Sequence, residues 1–246
     1  MSYCLGIKTK DGLVMASDSR TSAGADQVNI CQKMYRFESP GDRVFVILTT
    51  GSLSLSQSVL TLLRSDFENG KGLATAPSFY DAVREISAKM RQVSDQDREY
   101  LERDGFSFNV NLLIGGQIQG QEHELYMMYP QGNPLRSTED SPFLQIGEAK
   151  YGRPILDRGI RNRNITLAEA VKYAILSIDS TIRSNATVGP PIDLLVYNKS
   201  ELHLNCHRRL HAADEDLVMI HAQWEQALRR AVSELPPLKF DCEAGQ

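Results

Sequence analysis

The order of apolar runs along the chain predicts a layered α+β fold. Three observations carry that expectation. The runs follow one another as strands, two helices, strands, two helices, strands and a last helix. Each helical segment has one apolar stripe, which needs a sheet face to cover. No Pro/Gly/Ser-rich linker, internal repeat or low-complexity stretch interrupts the 246 residues. A single domain over residues 1–246 is expected, ending in a C-terminal helix and short tail from about residue 213 to 246.

The elements are justified in turn. Tyr3 to Thr9 is rich in strand formers, and Lys10-Asp11-Gly12 signals a tight turn into a second strand, Leu13 to Ala16. Thr21 to Asp26 is small and polar and suits a loop, and Val28 to Phe37 is extended again. Ser39-Pro40-Gly41-Asp42 turns the chain into Arg43 to Leu48, a buried strand. Leu53, Val59, Leu60, Leu63 and Phe67 recur at helical spacing, which gives a helix from about Ser52 to Phe67. A longer helix runs from Ser78, its N-cap, to about Arg103, with Phe79, Val83, Ile86 and Met90 as its stripe.

Strands at Ser107–Ile114 and Leu125–Tyr129 flank a loop at Gly115–Glu124, and a short strand at Phe143–Ile146 leads through Gly147-Glu148 into a helix ending near Ile160. Thr166-Leu167-Ala168-Glu169 is a capping box that opens a helix to about Arg183. Ile192–Tyr197 and Glu201–Cys206 read as a hairpin around Asn198-Lys199-Ser200, and the last helix, from about Ala213 to Ser233, stops at Pro236-Pro237.

Composition narrows the function classes. Hydrophobic residues make up 41% and charged residues 24%, as in an ordinary globular chain. The net charge of −4 argues against a nucleic-acid-binding surface spread over the chain. No window of 18 apolar residues is present, so no membrane span is expected. The N-terminus lacks a basic stretch leading into an apolar one, so no signal peptide is read. Cys4, Cys31, Cys206 and Cys242 form no CxxC pair or disulfide framework, which suits a reduced, cytoplasmic protein.

The candidate chemistry begins at Ser2. Initiator methionine is normally removed before a small residue, which makes Ser2 the mature N-terminus. A hydroxyl on an N-terminal residue combines a nucleophile with a free α-amine, whose ordinary pKa of about 7.7–8.0 suits a general base. The residues that follow, Tyr3-Cys4-Leu5-Gly6-Ile7-Lys8-Thr9-Lys10-Asp11-Gly12 and Leu13-Val14-Met15-Ala16-Ser17-Asp18-Ser19-Arg20-Thr21-Ser22, resemble the opening strands of the proteasome-type N-terminal-nucleophile hydrolases. Lys33 falls one residue closer to the nucleophile than the family lysine, Thr50-Gly51-Ser52 resembles the glycine turn before the first long helix, and Gln145-Ile146-Gly147 resembles the turn before the third. The start directly after Met1, the Gly147–Gly152 segment and Ser184–Pro191 are most similar to the bacterial Anbu (ancestral β-subunit) subgroup.

That resemblance implies a four-layer αββα sandwich and amide-bond hydrolysis without a cofactor or metal. It implies Ser2 as nucleophile, with Asp18 holding a charged Lys33 that favours the alkoxide. It implies an oxyanion donor at the Gly51 backbone N–H, and a peptide groove at Ser22, Gly51 and Leu53. Glu148 stands where active subunits usually carry a serine, and Asn185 where they usually carry an aspartate. Both positions orient the amine, and a carboxylate there favours its protonated form, so weak or narrow hydrolysis is expected. Lys150 and Arg183 are the cations in reach to neutralise Glu148. A large homo-oligomer, ring or open helical staircase, is also implied, through the helices at Leu53–Phe67 and Phe79–Arg103. A catalytically silent scaffold is the alternative, and an ATPase partner is not specified by the sequence. His203, His207 and His211 share a helical spacing inside a segment read as strand, so no metal site is expected there. Gly115-Gly116 is read as turn chemistry.

Overall fold

The computed structural model describes residues 2–22, 28–160, 162 and 164–238. Two five-stranded sheets stack face to face between helices. In chain order the strands are β1 (Tyr3–Lys8), β2 (Gly12–Asp18), β3 (Arg20–Ser22), β4 (Val28–Ile30), β5 (Met34–Ser39), β6 (Arg43–Gly51), β7 (Val110–Ile118), β8 (Glu124–Met128), β9 (Pro134–Arg136), β10 (Phe143–Gly147), β11 (Ile192–Asn198) and β12 (Cys206–Leu210). The helices are α1 (Leu53–Glu68), α2 (Phe79–Arg103), α3 (Ala149–Gly159), α4 (Leu167–Ser184) and α5 (Glu215–Ser233). One sheet has the order β10-β1-β2-β11-β12, the other β5-β6-β7-β8-β9, and β3 and β4 form a separate ribbon.

Strand alternation builds three apolar layers from the same residues. On β6, Phe45 and Ile47 turn outward under α1 and α2, packing with Val59, Leu63, Val83 and Ile86. Their neighbours Val44, Val46 and Leu48 turn inward and meet Leu13 and Met15 of the other sheet. On β1, Leu5 and Ile7 face α3 and α4, packing with Leu156, Ala174 and Ile178. The result is the αββα sandwich. Burying each such aliphatic side chain contributes roughly 1.5–3 kcal/mol.

Two helix starts follow the sequence expectation closely. Ser78 Oγ accepts from Asp81 N at the head of α2, and Thr166 with Glu169 forms a complete capping box on α4. Other boundaries move. Gly115 and Gly116 are not a turn but the middle of β7, which runs on to Ile118. A Cβ on Gly115 would lie 3.0 Å from Met15 Sδ, and one on Gly116 would lie 2.0 Å from Val44 O. Close sheet packing therefore explains these glycines. The same strand begins at Val110, later than the expected Ser107, and β9 is an added edge strand.

The partner of β11 is Cys206–Leu210, with Ile192 opposite Leu210, and not Glu201–Cys206. Ser200 and Leu202 have positive φ, so 199–205 is a loop whose Leu202 and Leu204 are buried. Met1, Cys242 and the tail beyond Leu238 lie outside the described residues, as does most of the expected Thr21–Asp26 loop. Among the described residues no helix is long and apolar enough to cross a membrane.

Candidate active site

Strand ends converge on one end of the sandwich. β1 pairs antiparallel with β2 and with β10, Cys4 lying opposite Ser17 and Tyr3 opposite Gly147. The start of β1 therefore sits beside the end of β2, where Asp18 is, and the end of β10. Lys33 immediately precedes β5 and is tied to the end of β6 by Thr49 N donating to Lys33 O at 3.0 Å. Ser2, Thr21, Thr50, Gly51, Asn109, Asn111, Gln145, Gly147 and Glu148 line a cleft of about 560 Å³ at this end.

Asp18 is fully enclosed and accepts from four donors. Its Oδ1 takes Lys33 Nζ at 2.6 Å and Tyr3 N at 3.0 Å, and its Oδ2 takes Arg20 N and Gly189 N, both at 3.2 Å. Burial raises the Asp18 carboxyl above its ordinary range, and the Lys33 ammonium with the Tyr3 and Gly189 N–H groups works against that rise. Lys33, 3% exposed, gives a second hydrogen bond to Arg20 O at 2.5 Å. Sequence-distant groups thus hold one buried ion pair beside the chain start.

Gly147 shows why the turn after β10 needs glycine. Its φ is +84°, and a Cβ there would lie 1.9 Å from Ser2 O. The close approach lets Glu148 N donate to Ser2 O at 2.9 Å. Gly152 is equally constrained, since a Cβ would lie 2.5 Å from Tyr3 Oη and 2.4 Å from Ser177 Oγ. Tyr3 Oη pairs with Ser177 Oγ at 2.7 Å and with Gln145 Nε2, and burial pushes its pKa up to about 12. The Gly147–Gly152 segment therefore holds α3 and α4 against Ser2 and the start of β1.

Glu148 and Asn185 come together at the cleft. Asn185 Nδ2 donates to Glu148 Oε2 at 2.9 Å, and Asn185 Oδ1 accepts from Thr187 N at 2.9 Å and Thr187 Oγ1 at 2.6 Å. Lys150 Nζ lies 3.6 Å from Glu148 Oε2. Arg183 does not neutralise Glu148; it reaches α5 and pairs with Glu225.

Gly51 is the last residue of β6 and does not begin the helix, which starts at Leu53 with Ser52 as N-cap. Its φ is +101°, and a Cβ there would lie 2.2 Å from Asn109 O, so glycine is required. Leu53 does not line the Ser2 cleft. It lines a neighbouring groove of about 850 Å³ between α1 and Ile30–Tyr35. The backbone of Ser22 closes β3, and its side chain lies outside the described residues. His203 pairs with Glu38, and His207 lies on β12, 3.2 Å from Asp193, so the histidine triplet is spread over a loop and an edge strand.

Sequence reasoning missed Tyr3, Gln145, Ser177, Thr187 and Gly189 as supports of the site. The glycines at 147 and 152 were the available signal, because each marks a close approach that a Cβ would block. At Gly189 a Cβ would lie 2.4 Å from Arg20 Cζ.

The family model for proteasome subunits matches residues 2–197. The chain is 29% identical over 200 residues to proteasome subunit beta 2 of Pyrobaculum arsenaticum, covering 80% of this chain and 88% of that one. The solved helical assembly of the Anbu complex from Pseudomonas aeruginosa is 41% identical, with a TM-score of 0.92, covering 96% of this chain and 98% of that one. Anbu from Yersinia bercovieri is 36% identical, with a TM-score of 0.91 and coverage of 98% and 100%. A buried Asp–Lys pair at the chain start, the αββα layers and these likenesses agree: the chain belongs to the proteasome subunit family, as a member of its Anbu branch.

Proposed function

We propose that the protein is a self-assembling N-terminal serine hydrolase of peptide or other amide bonds, formed as one cytoplasmic domain once Met1 is removed. The observation that carries the reading is the Asp18–Lys33 pair, enclosed at 2.6 Å beside the start of β1. Ser2 Oγ is the nucleophile and its α-amine the general base. Lys33, held charged by Asp18, stabilises the developing alkoxide. The Gly51 N–H supplies the oxyanion donor. Ser22, Gly51 and Leu53 bind the substrate as an added strand, its side chains reaching the groove beside α1. Glu148 and Asn185 orient the amine.

Attack of Ser2 Oγ on the carbonyl carbon forms a tetrahedral oxyanion while the amine takes the hydroxyl proton. Collapse expels the leaving amine, which receives that proton, and leaves an ester on Ser2. Water then cleaves the ester by the same route. Glu148 favours the protonated amine, so turnover is slow or confined to few substrates. That carboxylate, with its side chain only 13% exposed, also supports a second reading, an assembly scaffold without catalysis.

Profiling of a peptide library by the wild type and by Ser2→Ala, with intact masses recorded for both, tests the reading. Cleavage by wild-type chains lacking Met1, absent in Ser2→Ala, is expected. Equal cleavage by both proteins rejects the nucleophile, and no cleavage by chains with a free Ser2 amine favours the scaffold.

A further inference from the structure

The two sheets end side by side on edge strands β5 and β12, and a pocket lies between them that the chemistry at Ser2 does not use. It encloses about 320 Å³ and is lined by Gln32, Met34, Arg36, Asp193, His207 and Arg209. Its most enclosed group is Asp193, whose side chain is 3% exposed. The Asp193 carboxylate accepts from Ser19 Oγ at 3.2 Å and Arg209 Nη1 at 2.7 Å, and lies 3.2 Å from His207 Nε2. These partners neutralise it and fix the Arg209 guanidinium, which has further N–H groups to offer. Arg36, from the opposite strand, has no hydrogen-bond or ion-pair partner among the described residues. Two guanidiniums and an imidazole thus face one carboxylate, and the pocket carries excess positive charge.

We infer that this pocket binds a phosphate group, either free phosphate or the end of a small phosphomonoester. A planar carboxylate occupies one guanidinium fork, whereas a phosphate offers oxygens in several directions and a charge near −2. That matches donors arriving from two strands. Bound phosphate ties β5 to β12, edge strands from different sheets that share no backbone ladder. It also lies against Gln32, which precedes Lys33, and against Asp193, which accepts from Ser19 next to Asp18. The inference does not depend on hydrolysis at Ser2.

Calorimetric titration of the full-length assembled protein with inorganic phosphate, at neutral pH and constant ionic strength, tests it, with chloride and acetate as controls. Saturable binding at one site per chain is expected, with a rise in melting midpoint that the controls do not reproduce. In Arg36→Gln the dissociation constant for phosphate rises about tenfold or more, while the phosphate-free midpoint is unchanged because Arg36 has no partner to lose. Tighter binding of glycerol phosphate than of phosphate assigns the pocket to a phosphomonoester, and equal or weaker binding assigns it to free phosphate. Absence of saturable binding, or binding unaltered in Arg36→Gln, overturns the inference. So does loss of self-assembly in Arg36→Gln when the wild type binds no phosphate, which gives the pocket to an acidic side chain of a second copy.

Discussion

Lys33 Nζ lies 2.6 Å from Asp18 Oδ1, and the two side chains are 3% and 0% exposed. A pair so enclosed is a costly way to stabilise a fold, because both ions lose their hydration. Its position beside Ser2, with Tyr3 N on the same carboxylate oxygen, fits the chemical role proposed for it.

Lys33→Ala is expected to reduce amide hydrolysis by about 10² to 10⁴-fold. Removing one partner of the buried pair also costs roughly 3–5 kcal/mol of stability, so turnover is compared well below the melting midpoint. The double variant with Ser2→Ala is expected to be hardly worse than Ser2→Ala alone, since groups acting as one unit are non-additive. Multiplicative losses would separate Lys33 from the nucleophile.

Glu148→Gln tests the carboxylate near the amine. The negative charge favours the ammonium form, so its removal lowers the amine pKa and frees more base at a given pH. The rising limb of the pH–rate profile moves to lower pH by about one unit. A limb that stays in place, or moves upward, removes Glu148 from the amine's surroundings.

Gly147→Ala introduces a Cβ 1.9 Å from Ser2 O at a φ of +84°. The strain and the displaced strand end cost at least about 2 kcal/mol. A lowered melting midpoint together with lost turnover is expected. Unchanged values for both would show that the contact with Ser2 O is not needed.

His123 gives a pH dependence away from the site. The ring is fully buried, with Nε2 2.8 Å from Thr9 O, so Nε2 carries the proton, and Nδ1 has no hydrogen-bond partner among the described residues, the Glu122 carboxylate lying 3.9 Å away. Burial is the main cause that lowers its pKa from 6.5. The unfolded chain therefore takes up the proton first, so stability is full above pH 6.5, falls as the pH drops from 6.5 towards the lower folded value, and levels off below it. Each tenfold difference in proton affinity is worth about 1.4 kcal/mol. His123→Gln, which keeps a donor for Thr9 O, should flatten that fall in melting midpoints measured across the range. An equally steep fall in the variant assigns it to other groups.

Much of the fold was legible in the sequence, for reasons visible at single positions. Ser78 and Thr166 announce helix starts because their side chains accept from backbone N–H groups three residues on. The apolar stripe of α2 has the helical period because one face covers β7 and β8. Cys206–Leu210 was hidden because this edge strand is mostly exposed and polar, while the apolar Leu202 and Leu204 that mimic a strand are buried from a loop. Gly115-Gly116 looked like a turn because glycine's use in close sheet packing leaves the same letters as its use in turns. At the candidate site, the convergence of Ser2, Asp18, Lys33 and Gly51 at one end of the sandwich was expected from the family resemblance. Tyr3 and Ser177 were not legible, because their contact joins chain segments 174 residues apart.

The most direct test of the central claim is peptide mapping of the wild-type protein after reaction with an amine-tolerant, hydroxyl-acylating β-lactone. One adduct is expected, on Ser2 of chains that have lost Met1, and it disappears in Lys33→Ala. Unmodified Ser2 on chains with a free N-terminal amine, or acylation elsewhere that Lys33→Ala leaves unchanged, would contradict it.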